Sequence, residues 1–168
     1  MKKKIIVLSI AFLSGIIQLN AQDYKTGIGV RLGGLTSGIT VRGFVNSNSA
    51  IEGIVSFGHR SFLITGLYEK FKPIPNAEGL TWFYGGGIHF GFFRYGGTYY
   101  YYKEKGNKIY VVREGDSRVV PGADFIIGMD YKFKGAPLNL GLDLKPFIDF
   151  IDGTELYFDG ALSFRFVF

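Results

Sequence analysis

Apolar residues recur at every second position from residue 26 to the C-terminus, in short runs separated by polar or Gly- and Pro-rich connections. A period of two is the signature of a pleated strand with unlike faces. In the first run Ile28, Val30 and Leu32 alternate with Gly27, Gly29, Arg31 and Gly33. In the second, Ile39, Val41 and Val45 alternate with Thr40, Arg42 and Phe44 before a polar turn at 46–49. Ile51, Gly53, Val55 and Phe57 then oppose Glu52, Ile54 and Ser56. Phe62, Ile64, Gly66 and Tyr68 oppose Thr65 and Glu69, and residues 72–78, with two prolines, end that strand. The fifth run sets Leu80, Trp82, Tyr84, Ile88, Phe90 and Phe92 against Gly85, Gly87, His89 and Gly91. The sixth sets Ala123, Phe125, Ile127, Met129, Tyr131 and Phe133 against Asp124, Gly128, Asp130 and Lys132. Leu138, Leu140, Leu142 and Leu144 alternate with Asn139, Gly141, Asp143 and Lys145 in the seventh. In the last, Gly160, Leu162, Phe164, Phe166 and Phe168 alternate with Ala161, Ser163, Arg165 and Val167.

The last strand decides the class. Left unpaired in water, an aromatic-rich terminal strand would be an adhesive edge; closing a barrel in lipid, it has both neighbours paired and its apolar face solvated by acyl chains. The pattern therefore predicts an all-β, eight-stranded antiparallel up-and-down transmembrane β-barrel, an even strand count as such barrels require. Connections near Thr36, His59, Tyr101 and Asp152 fall at one end, and those near Asn48, Pro75 and Gly135 at the other. With both termini in the periplasm, the long connection 94–118 lies outside.

A C-terminal strand of alternating aromatics ending in Phe168 resembles the closing strand, and assembly signal, of bacterial outer-membrane barrels. The whole mature chain is similar to small eight-stranded barrels of the OmpX, OmpA membrane-domain and opacity-protein type. The resemblance implies a location in the outer membrane of a Gram-negative bacterium, contact with outer-membrane lipid and lipopolysaccharide, and Phe164, Phe166 and Phe168 as the signal read by the barrel-assembly machinery.

Composition sharpens this. Lys2, Lys3 and Lys4 precede an apolar run over 5–17, and Leu19-Asn20-Ala21 leads to a cut before Gln22. This is the pattern of a secretory signal peptide, shorter than the roughly 20 apolar residues of a membrane span. Residues 1–21 are thus expected to be a cleaved signal and 22–168 one barrel domain. Removing three lysines and no acid from the formal +5 leaves +2, too little to suggest nucleic acid as a partner. The absence of Cys excludes disulfides and thiolate metal sites.

The inward faces collect Arg31, Arg42, Lys132, Lys145 and Arg165 with Glu52, Glu69, Asp124, Asp130 and Asp143. An eight-stranded interior is only wide enough to be filled by side chains, so these charges should pair into a polar plug rather than line a channel. A narrow ion path, the alternative, needs one sign of charge along a continuous lumen. His89, alone among inner-face glycines, reads as a satisfied interior hydrogen-bonding group; neither a metal nor a cofactor is expected. His59 and Ser61 raise an enzymatic alternative, because some small barrels resemble lipid A deacylases using His, Ser and a carboxylate. A serine nucleophile needs an adjacent base and a group orienting that base. Only Glu52 or Glu69 could serve here, and Glu69 belongs at the far end of its strand.

One stretch is not explained by folding. Tyr99, Tyr100, Tyr101, Tyr102 and Tyr110 are interleaved with Lys103, Lys105, Lys108 and Arg113, around a Lys-Gly-Asn-Lys turn. This is interface chemistry, suited to a surface protein, a glycan or lipopolysaccharide phosphates. The sequence thus predicts a structural outer-membrane barrel carrying a surface hairpin for binding or adhesion.

Overall fold

The structure, a computed structural model, describes residues 24–58, 61–94, 117–150 and 155–168. The expected signal peptide, His59 and the tyrosine-rich stretch lie outside the described residues. Eight strands follow in order: β1 (Thr26–Gly33), β2 (Ser37–Asn46), β3 (Ser49–Gly58), β4 (Ser61–Pro73), β5 (Leu80–Arg94), β6 (Ser117–Lys132), β7 (Leu138–Asp149) and β8 (Glu155–Val167). Each pairs antiparallel with its neighbour, and β8 pairs with both β7 and β1, closing the barrel. Arg94, Ser117 and Arg118, expected in the long connection, belong to the strands that flank it.

The C-terminus is locked into this closure. Phe168 accepts backbone hydrogen bonds from Lys25 at 3.1 Å and Thr26 at 3.0 Å, and its own N–H donates to Thr26 at 2.9 Å. No strand edge is left free, which is the condition for burying a sheet in lipid. At one end, short connections at 47–48, 74–79 and 133–137 join the strands. Gly135 there adopts a φ of 73°, a left-handed conformation that a side chain would strain.

Outside, the alternation presents Ile28, Val30, Val41, Ile51, Ile64, Ile88, Phe125, Leu142, Leu162 and Phe164, all exposed. Inside, bulk is balanced strand against strand. Phe83 stands opposite Gly128, Ile126 opposite Gly85, Asp124 opposite Gly87 and His89 opposite Gly122. A Cβ on Gly128 would lie 2.6 Å from Phe83 Cζ, and one on Gly122 would collide with the His89 imidazole. The inner glycines of β5 and β6 therefore make room for large neighbours, the small-against-large packing a narrow barrel requires.

The interior is not uniformly polar. Ala50, Ile54, Leu67, Phe71, Phe83 and Ile126 form an apolar cluster with Phe44 packed against it. This adds an apolar sector to the expected polar plug: the wall of β3 to β6 fills its part of the interior with side chains that need no charge partner.

Candidate functional site

Three groups of ion pairs fill the rest of the interior. The largest lies toward the 47–48 and 133–137 connections, where β2 and β3 put Arg42 directly opposite Glu52. Arg42 Nη2 is 2.7 Å from Glu52 Oε2, and its Nη1 is 3.1 Å from Asp130 Oδ1. Glu69 Oε2 lies 2.9 Å from Arg42 Nε, out of line for a hydrogen bond. Arg165, arriving from β8, places Nη2 2.6 Å from Glu52 Oε1 and Nη1 3.4 Å from Asp130 Oδ1. Neutral donors complete the set: Thr40 to Glu52, Asn139 Nδ2 to Asp130 at 2.6 Å and the Tyr24 hydroxyl to Asp130 at 3.2 Å. Burial beside Asp130 holds the Tyr24 phenol well above its ordinary pKa, so it remains a neutral donor. The Arg42 guanidinium is also flanked by the rings of Phe71 and Phe83, at 5.0 and 4.9 Å from their centroids, a cation–π contact on each.

Near the opposite end, Arg31 Nη1 is 2.9 Å from Asp159 Oδ2, and its Nε is 3.3 Å from Asp143 Oδ2. Asp159 also accepts the Leu35 N–H at 2.9 Å and the Thr36 hydroxyl at 2.8 Å, tying the β1–β2 connection to the wall. The third group joins β5, β6 and β7. Lys145 Nζ is 2.6 Å from Asp124 Oδ1, His89 Nδ1 is 2.7 Å from Asp124 Oδ2, and His89 Nε2 is 2.9 Å from Asp149 Oδ1. Phe147 packs edge-on to the His89 ring with Lys145 over its face.

Of the expected interior residues, Arg31, Arg42, Glu52, Glu69, Asp124, Asp130, Asp143, Lys145 and Arg165 all sit in these groups. Lys132 does not. It stands at the end of β6, and its ammonium donates to the carbonyls of Phe133 at 3.0 Å and Ala136 at 2.8 Å, capping the turn. Asp149 and Asp159 were missed, although both lie on the inward parity of their strands; extending the alternation of Ser163 and Arg165 by two pairs would have found Asp159. The five cations and five carboxylates read on the inward faces are joined by the two further carboxylates Asp149 and Asp159, and Lys132 leaves the set. Among the described residues, these groups bring together seven carboxyl groups with four Arg or Lys cations and His89, an acidic interior.

The chemistry open to such a site is limited. Both His89 nitrogens face carboxylates, so neither is free to accept a proton from a hydroxyl nucleophile. Ser61 begins β4 at the rim, paired with Gly58 and Phe93, while Glu69 lies eight residues further along. At strand rise this separation is roughly 27 Å. Glu52 is held by both arginines. Along the strands, both glutamates thus lie below the rim position of Ser61 rather than beside it.

No protein-family model matches the chain, and no curated protein resembles it significantly in sequence. Among solved structures, the N-terminal β-barrel domain of Pseudomonas aeruginosa OprF superposes with a TM-score of 0.64 at 12% identity, covering 88% of this chain and 100% of that domain. Neisserial surface protein A (NspA) is also similar, with a TM-score of 0.49 at 10% identity, covering 85% of this chain and 94% of the other. The inward charges, apolar exterior and closed eight-strand topology thus meet on a known scaffold: the fold is that of the small eight-stranded outer-membrane β-barrels.

Proposed function

We propose that this chain is an integral protein of the bacterial outer membrane whose barrel interior is closed by ion pairs and whose function resides on its outer connections. The observation that carries this reading is its inverted polarity. Charged side chains such as Arg42, Glu52 and Asp159 are fully buried, while Leu142, Ile88 and Phe158 are more than half exposed. In water that exterior would aggregate; in a bilayer it is the lipid-facing surface.

Both termini lie in the periplasm in this reading, which puts the connections at 34–36, 59–60, 95–116 and 150–154 on the outer side. With the interior occupied, the tyrosine- and lysine-rich residues 99–113 are the surface left for a partner: a protein, a glycan or a lipopolysaccharide headgroup. The reading is non-enzymatic. Detergent-purified protein should show heat-modifiable gel mobility together with β-type circular dichroism, and planar bilayers containing it should show no steady open-pore conductance. A water-soluble monomer without detergent overturns the membrane assignment, and a steady conductance overturns the closed interior.

A further inference from the structure

Among the outward side chains described on the eight strands, only Lys70 and Lys72 are charged. They stand two residues apart near the end of β4, on one face, beyond the exposed Tyr68. Strand register sets Lys70 opposite Tyr84 and Lys72 opposite Trp82. The Trp82 and Tyr84 rings stack with centroids 5.4 Å apart, and Lys72 Nζ lies 5.3 Å from the first and 5.8 Å from the second. The exposed flanking positions are Ile127 and Met129 on β6 and Ile51 on β3, while Ser49, the register partner of Lys70, is buried. Glu78, in the adjoining connection, is already paired with Lys134, and neither Lys70 nor Lys72 has a carboxylate partner among the described residues.

A charge on the lipid face of a barrel is costly unless it reaches the headgroups, and two neighbouring like charges without a counter-ion need an anion from outside the protein. Trp and Tyr rings sit at headgroup depth, and the long Lys stems lie along apolar surface while the ammonium groups stay in the polar layer. The anion abundant at that depth is lipid phosphate. A zwitterionic headgroup brings its own cation to compete with the lysines; an anionic one does not.

Resting on the membrane reading above, we propose that Lys70 and Lys72, backed by the Trp82–Tyr84 stack, bind the phosphate of an anionic glycerophospholipid. The lipid belongs to the leaflet at the 47–48, 74–79 and 133–137 end, the periplasmic one in that reading.

Trp82 is the single tryptophan, so intrinsic fluorescence reads this one place. The full mature chain would be reconstituted in phosphatidylcholine vesicles containing a minor fraction of acyl-brominated lipid, either phosphatidylglycerol or phosphatidylcholine. Brominated phosphatidylglycerol should quench Trp82 more strongly, as a roughly tenfold local enrichment would produce. The excess should vanish in Lys70→Gln/Lys72→Gln, survive in Lys70→Arg/Lys72→Arg and be unaffected by Lys134→Gln. Equal quenching of the unmodified chain by the two brominated lipids overturns the site while upholding membrane insertion; no quenching by either overturns both. An excess that persists in the double Gln variant also overturns the site. Should that variant fail to insert, the comparison of the two lipids on the unmodified chain decides alone.

Discussion

Toward the 47–48 and 133–137 connections, the barrel interior is held by two guanidinium groups among Glu52, Glu69 and Asp130, with phenyl rings on Arg42 and neutral donors on Glu52 and Asp130. Toward the other end the charges split into separate clusters, and Asp149 keeps 16% of its side chain in contact with solvent. The first region is a multiply connected network in a dry setting. The second consists of two smaller clusters, Arg31 with Asp143 and Asp159, and Lys145, Asp124, His89 and Asp149 in a row. A guanidinium has five fixed donors, and Arg42 meets three carboxylates at once; the His89 imidazole, with two ring nitrogens, meets two, and the Lys145 ammonium meets Asp124. The difference predicts that rigidity is concentrated at the turn end and adaptability at the end bearing the long connection.

Removing the hub should have the largest effect. Arg42→Ala leaves Glu52, Glu69 and Asp130 with only Arg165 to share, and breaking a buried pair in this way costs about 3–5 kcal/mol. Urea unfolding of the reconstituted barrel, followed through Trp82 fluorescence, measures it. A loss below 1 kcal/mol would mean that the network is not the dry core described here. Next come two adjacent positions on β7 that separate outside from inside. Leu142→Arg places a charge on the exposed apolar face, and if that face lies in lipid, as proposed, should cost roughly 2–4 kcal/mol at midplane. Gly141→Ala acts on the interior instead. Its Cβ would stand 2.9 Å from both Arg165 Nη1 and Asp130 Oδ1, so overpacking should cost about 1–3 kcal/mol. That penalty should shrink in an Arg165→Met background, whereas the Leu142→Arg penalty should not.

At the opposite end, His89→Gln keeps a polar group between Asp124 and Asp149 but removes a possible cation. With Lys145 still on Asp124 and Asp149 partly solvated, the cost should be about 1–2 kcal/mol, below that of Arg42→Ala. Equal costs for the two substitutions would erase the contrast between the halves.

Strand number, order and inward or outward parity were legible because an apolar exterior and a filled, largely polar interior impose opposite chemistry on alternate residues. The closing role of β8 followed from its unbroken alternation to Phe168. What parity cannot supply is height along the barrel and the partner across it. Lys132 has inward parity but sits where β6 ends, so its ammonium reaches turn carbonyls rather than carboxylates. Arg42 meets Asp130 only because closure brings β2 and β6 across the lumen, a relation 88 residues apart in sequence. The inward Leu67, Phe71, Phe83 and Ile126 were hidden for a related reason. Glycines on facing strands make space for Leu67, Phe83 and Ile126, and Phe71 stacks on Phe83 opposite it; such compensation is visible only once register is known.

The smallest expected effect on stability belongs to the long connection. The three interior groups are assembled from residues of the eight strands, with Tyr24 and the 34–36 connection, and β5 and β6 are already paired from Arg94 and Ser117 inward. Replacing 98–113 with a short Asn-Gly turn should therefore leave heat-modifiable mobility intact and change unfolding free energy by no more than about 0.5 kcal/mol, the range of substitutions away from the core. The same replacement should abolish surface adhesion or partner capture, because it removes Tyr99, Tyr100, Tyr101, Tyr102 and Tyr110 with Lys103, Lys105, Lys108 and Arg113. The two readouts separate the possibilities. Loss of binding with an intact barrel assigns the function to this stretch. Failure to fold, with no binding by the unmodified chain, would make the connection part of the scaffold and shift the search for function to the shorter connections at the same end.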